Sequence, residues 1–259
     1  MKKFWYSLLA TLLIFVPLKI YSATVTKINF VESGLFLVIL GAFVLISMIC
    51  ATFSKIELKV TNITRNIPLG VLSLTTSIAF FWCIKAYFVD TSPAYDSELY
   101  PIILCLFCIL CSITFLLLAA THFSGKNIIG SVPFFLYCPL LFFLERILIF
   151  ISLKTISVDI CDFIAVSSLM LFMLYYTQVF ATSSNSNITK ILFLFGAPSV
   201  IFSTIAYLPI VITSNASESV VASSALQFVL ALYILAVMLD AQCQCKNHAP
   251  QVIKAINEQ

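Results

Sequence analysis

Eight times along this sequence a stretch of about 17–25 residues runs almost without charge, long enough for a helix to cross the hydrocarbon layer of a bilayer. No other feature restricts the fold so tightly. The runs lie at roughly 4–20, 33–53, 67–89, 101–121, 132–153, 160–181, 190–213 and 220–240. Composition decides that they face lipid and not one large soluble core. Of 259 residues, 61% are hydrophobic and 10% charged, with a mean hydropathy of +1.10, against about 45–50% and about 25% in an ordinary soluble domain. The runs are continuous and do not alternate, which excludes a membrane β-barrel. The expected fold is therefore an all-α polytopic transmembrane bundle of about eight helices, one domain over 1–259. The connections are short and leave no room for a soluble domain.

The first run, in "MKKFWYSLLATLLIFVPLKIYSA", has a basic start, an apolar middle and small residues at Ser22–Ala23, which is also the pattern of a secretory signal peptide. Bulky Tyr21, where a small residue is preferred before a cut, favours an uncleaved first helix; cleavage would leave seven spans.

Basic residues orient the chain. With the N-terminus inside, Lys2, Lys3, Lys55, Lys59, Arg65, Lys126, Lys190, Lys246 and Lys254 are cytoplasmic, whereas only Lys19, Lys27 and Lys154 lie outside. The acidic "DTSPAYDSELY" segment, with Asp90, Asp96 and Glu98, also falls outside. Both termini are expected in the cytoplasm. A net charge of +3 with no basic stripe excludes a nucleic-acid partner.

Against this apolar background, "PLLFFLERILIF" stands out because Glu145 and Arg146 sit side by side inside a span. Lys85 and Asp162 are the other ionisable residues within spans away from the cytoplasmic ends. From the middle of each span, Glu145 and Arg146 fall about 4–5 Å outward, Lys85 about 10 Å and Asp162 about 13 Å. All four occupy the outer leaflet and their charges cancel. Each costs about 2.5–3.5 kcal/mol at a helix centre, so such residues turn inward and pair. Adjacent Glu145 and Arg146 point about 100° apart and do not face each other. Arg146 is expected to reach Asp162 across a short turn, and Glu145 to find Lys85 or a hydroxyl such as Tyr207.

Other signals carry less chemistry. Cys105, Cys108 and Cys111 in "CLFCILC" have iron–sulfur spacing, but a mid-span helix makes them packing residues. Cys243, Cys245 and His248 in "CQCKNH" are too few for a closed zinc site. His122 is expected as a polar residue at the cytoplasmic interface. Gln178 and Gln227 either bond between helices or line a cavity. Pro198 and Pro209 interrupt the seventh span, while only six glycines occur in the chain, few for a highly mobile transporter. No phosphate loop, zinc-protease motif or nucleophile elbow is present, so no cofactor or metal is expected and nothing argues for an enzyme.

The segment "PLLFFLERILIFISLKTISVDICDFIAVSSLMLFMLYYTQVF" resembles a family of uncharacterised multi-pass membrane proteins from Clostridia-type Firmicutes. In that pattern an apolar span ends in an arginine, a short Ser/Thr/Val connection follows, and an acidic residue opens an aromatic-rich span. Arg146 and Asp162 occupy the two positions, and Glu145 lies outside the pattern. The resemblance implies a bacterial inner-membrane location and no particular activity.

Two functional readings follow. One is a protein that binds, senses or transports a small polar solute through an outward-facing pocket lined by Lys85, Glu145, Arg146 and Asp162. The other is a non-catalytic accessory or assembly subunit, with its partner another membrane protein and its buried charges structural. The orientation has a direct check: alkaline phosphatase fused within residues 90–98 is expected to be active, and fused after Lys126 inactive. The reverse pattern refutes it.

Overall fold

The computed structural model describes residues 1–24, 34–53, 65–89, 99–152, 160–181, 186–213 and 217–257. Lys27, Lys55, Lys59, Lys154, the acidic segment 90–98 and the side chains of Cys245, Lys246, His248 and Lys254 therefore lie outside what is described. Eight α-helices are present among these residues: α1 (Lys2–Thr24), α2 (Gly34–Thr52), α3 (Ile67–Val89), α4 (Leu99–Ser124), α5 (Cys138–Ser152), α6 (Ile160–Ala181), α7 (Ser186–Thr213) and α8 (Glu218–Asn257). Six of them are long and apolar enough to cross a membrane. The protein is a polytopic helical membrane protein.

Cross-helix bonds establish the antiparallel register. Asn66 N donates to His122 O at one end of α3 and α4, and farther along the Ser77 and Ser112 hydroxyls share a 2.7 Å bond. Asn66 meets Asp240, whereas Lys85 meets Glu218, so α8 returns alongside α3. The bundle thus has a near end, where α1 begins, and a far end, where α7 gives way to α8.

Neighbouring helices pack in the order α3–α4–α5–α6–α7–α8 and back to α3, closing a ring of six. Helices α1 and α2 stand outside this ring, packed on each other and on α7. A small apolar cluster of Phe15, Phe36, Leu40, Val44, Ile201 and Ile205 seats them there, and the Ser7 and Ser47 hydroxyls join them at 2.8 Å. Lipid tails are as apolar as these side chains, so close packing and interhelical hydrogen bonds, not hydrophobic transfer, hold such helices together.

Aromatic rings fill the middle of the ring of helices. Phe80 of α3 stacks on Phe115 of α4 at 5.8 Å and meets Phe142 of α5 edge-on at 5.4 Å. Phe115 in turn meets Tyr233 of α8 edge-on at 5.4 Å. All four are fully buried. This layer is solid: four helices contribute one ring each, in the offset and edge geometries that aromatic quadrupoles favour.

The fifth span departs from expectation. It was expected to be helical from about residue 132, but α5 begins only at Cys138, after 3-10 turns at Ile129–Ser131 and Pro133–Tyr137. Pro133 and Pro139 explain this. Neither proline has an N–H to give, and Val132, before Pro133, is held away from α geometry at φ −133° and ψ 65°. The looser segment still covers distance, because five 3-10 residues rise about 10 Å and the fifteen of α5 about 22 Å. Non-helical backbone is tolerated at such depth only where protein satisfies it. Here α4 does so with two hydroxyls on one face: Thr114 Oγ1 donates to Phe135 O at 2.8 Å, and Ile129 N donates to Thr121 Oγ1 at 3.2 Å.

The last helix also differs, running to Asn257 and not ending near 240. Its 40 residues extend about 60 Å, roughly twice the hydrocarbon thickness. The apolar pattern stops near Asp240, but Gln242 and Gln244 are good helix formers in water, so the helix outlasts the hydropathy.

Replacing Thr114 by Val is expected to leave the Phe135 carbonyl with the Cys138 N–H alone and cost about 0.5–1.5 kcal/mol, read as a lowered unfolding midpoint in detergent, while Thr114→Ser retains wild-type stability. Equal stability of all three proteins refutes the bracing role.

Candidate functional site

Polar side chains inside the ring of helices divide into two groups, one on each side of the aromatic layer.

In the far half, α5 carries Glu145 and Arg146 one turn beyond fully buried Phe142. Arg146 Nη1 donates to Ser223 Oγ of α8 at 2.8 Å. The Tyr87 hydroxyl of α3 lies beside the same serine and feels the guanidinium charge. Three helices thus converge on one cation. Both Glu145 carboxylate oxygens and Asp162 Oδ1 are shielded from solvent. Asp162 opens α6 on the stripe that continues through Ala165, Val166 and Leu169, all fully buried, so it too points into the bundle.

Lys85 behaves otherwise. Its ammonium is 3.5 Å from Glu218 Oε1, and its side chain is 70% exposed. The partner foreseen for it was Glu145; the partner found is the first residue of α8. The long aliphatic stem lets the charge leave the hydrocarbon, the usual behaviour of lysine near a helix end. Lys85 stands at the rim of the far half, and Arg146, Glu145 and Asp162 lie deeper.

A second far-half feature lies between α7 and α8. Gly196 of α7 sits against Ile234 and Met238, so closely that a Cβ on it would collide with the methionine sulfur. That contact marks the facing stripes of the two helices. At about 100° per residue, Ser203 and Tyr207 continue the Gly196 stripe toward the far end, and Gln227 continues the stripe of Ile234 and Met238. The helices are antiparallel, so Gln227 comes level with the stretch between Ser203 and Tyr207. Gln227 and Ser203 are fully buried and Tyr207 is nearly so, its ring leaning on the cluster under α1 and α2. Gln227 Nε2 and Oε1, Ser203 Oγ and the Tyr207 hydroxyl have no hydrogen-bond partner among the described residues. A buried amide without partners costs about 1–3 kcal/mol, and evolution keeps such groups mainly where something else meets them. Pro209 adds to the polarity, because it cannot donate to the carbonyl of Ile205 one turn back.

In the near half, the Tyr176 hydroxyl of α6 shares a 2.7 Å hydrogen bond with Tyr233 of α8 and lies 3.5 Å from His122 Nε2 of α4. Tyr233 also reaches Ser73 of α3. Beside this chain, Asn66 Nδ2 donates to Asp240 Oδ1 at 2.6 Å and Gln244 Nε2 to Asp240 Oδ2 at 2.8 Å. His122 stands in the last turn of α4, at the end of the span as expected, and is buried against its neighbours. The signal for this network was weak in the sequence, because tyrosine counts as apolar in a hydropathy reading and its partners lie on three other helices.

Cys105, Cys108 and Cys111 are all buried along one side of α4. Among the described residues no three His, Cys, Asp or Glu side chains converge as a bound metal would require. No family model, curated protein or solved structure matches the chain.

If the Gln227 amide is unmet by protein, Gln227→Leu removes its desolvation cost. The variant is expected to unfold at a higher midpoint, by about 1–3 kcal/mol of stability, in detergent without added solute. A clear loss of stability would show that the amide is bonded within the bundle.

Proposed function

We propose that this protein lies in a bacterial cytoplasmic (inner) membrane with both termini inside, and that its far half, facing outward, binds a small zwitterionic or anionic solute which it transports or senses. The observation that carries this reading is the Arg146 guanidinium, held inside the ring of six helices by Ser223 beside Tyr87. A planar guanidinium offers five donors in a fixed fork and suits a carboxylate or phosphate. Intramembrane ionisable residues of this kind mark solute and ion pathways. Glu145 and Asp162, shielded on adjoining helices, would face the cationic end of a zwitterion. Lys85, paired with Glu218 at the rim, would draw anions toward the mouth.

The neutral groups of the α7–α8 seam complement the charges. Gln227 and Ser203 offer donors and acceptors about one helical turn from Ser223, so a solute anchored on Arg146 would meet hydrogen-bonding groups close by. Charge fixes the solute's orientation and neutral groups read its shape, the usual division of labour in such sites.

The test is thermal unfolding of the purified protein against a panel of zwitterionic amino acids and betaines. A solute present at 100 times its dissociation constant stabilises the folded state by about 2.7 kcal/mol. At least one panel member is expected to raise the midpoint, Arg146→Gln to abolish the shift, and Arg146→Lys to retain only part of it. No shift from any member, together with protection of Ser223→Cys from a membrane-impermeant thiol reagent added outside, would overturn the proposal.

A further inference from the structure

The near half contains a chain of groups that the solute-binding reading does not use. His122, Tyr176, Tyr233 and Ser73 come from four different helices of the ring, and the four are buried. Tyr176 bridges the imidazole and Tyr233, Tyr233 reaches Ser73, and Ser73 Oγ donates to Leu69 O at 2.8 Å. Only the first member carries a basic ring nitrogen. The rest are hydroxyls, each able to donate one proton and accept another.

We propose that these four residues form a proton-binding site, in which uptake of a proton by His122 reverses the direction of the hydroxyl chain that passes through the aromatic layer. The balance is simple. When Nε2 of the neutral imidazole is an acceptor, Tyr176 donates to it and Tyr233 donates to Tyr176. When a proton from near-side water joins the ring, both ring nitrogens carry hydrogen. Nε2–H then donates to the Tyr176 oxygen, Tyr176 to Tyr233, and Tyr233 to Ser73. The one covalent change is the Nε2–H bond, formed as hydronium gives up its proton and becomes water; each hydroxyl keeps its own hydrogen and only turns, and the proton leaves by the reverse path.

The surroundings suit a proton better than a larger ligand. Beside the His122 ring stands Tyr176 from α6; Tyr233 and Asp240 follow from α8, and Asn66, at the start of α3, donates its N–H to the His122 carbonyl. Asp240 is the one ionisable acid among them; its carboxylate is held by Asn66 and Gln244 at the near end, and its charge, felt by both tyrosines, draws a proton toward the chain. Tyr233 is also the ring that meets Phe115 edge-on. The proton chain therefore passes through the layer that separates the two polar halves, which gives protonation a mechanical reach that a surface histidine lacks.

The chain holds two histidines, His122 and His248, so a His248→Gln protein with heavy-nitrogen histidine gives a single imidazole to follow by NMR in lipid nanodiscs. From about pH 8 to about pH 4, its signals are expected to pass reversibly from the neutral to the protonated form in the folded protein. Tyr176→Phe deprives the imidazolium of its acceptor, and a charge-assisted bond loses more than a neutral one, so the midpoint should fall to lower pH. Tyr233→Phe should move it the same way by less, keeping the proposal open to test if one variant fails to fold. An imidazole that stays neutral throughout while the protein remains folded overturns the proposal, as does a midpoint indifferent to both tyrosine changes.

Discussion

Hydrocarbon offers no hydrogen bonds, and most buried polar groups among the described residues are arranged around that fact. Helices meet the demand for most of the backbone. Where proline prevents a helix, on the approach to α5, α4 lends Thr114 to the Phe135 carbonyl and Thr121 to the Ile129 N–H. Hydroxyls elsewhere fold back on their own helices, as Thr11, Ser73, Thr76 and Thr204 do four residues back along the chain. Serines on facing helices close on one another, as at Ser77 and Ser112. Once these needs are met locally, the few polar groups left over define the interior of the ring.

Those remaining groups are sorted by depth. Arginine and carboxylates take the far half, and tyrosines, histidine and Asp240 the near half, with Phe80, Phe115, Phe142 and Tyr233 between them. Helix α8 contributes to every level, through Ser223, Gln227, Tyr233 and Asp240. A helix with members on both sides of a solid layer can couple them by a small rotation or slide, because packed cores switch between discrete arrangements and do not deform smoothly. The two Pro residues of α7, next to α8 in the ring, weaken the backbone of the neighbour against which such a shift would occur.

The legible part of the site was the part that contrasts with its surroundings. Glu145, Arg146 and Asp162 are conspicuous because charge inside an apolar run costs several kcal/mol, and the structure turns all three toward protein. Lys85 was conspicuous for the same reason, yet its stem carries the charge to Glu218 at the rim. Charge can be read along one dimension, and the reach of a side chain cannot. The link from His122 to Tyr233 was missed for the opposite reason: tyrosine hides in a hydropathy sum, and an isolated histidine shows no partner until Tyr176 is brought to it from 54 residues away. The fifth span failed locally, since Pro133 and Pro139 were visible but their cost depended on whether another helix would brace the broken turn.

Hydropathy alone decided that the chain is a helical bundle in lipid and which residues are out of place there. It is a sum over near neighbours, and near neighbours fix whether a segment leaves water. The closed order of six helices, the division into two polar halves and the choice of Ser223 for Arg146 were settled only by packing. Those depend on the rotation and register of one helix against another, and for Arg146 and Ser223 the two ends of the bond are 77 residues apart. No local pattern encodes that angle, because it is the compromise reached when all the helices pack at once.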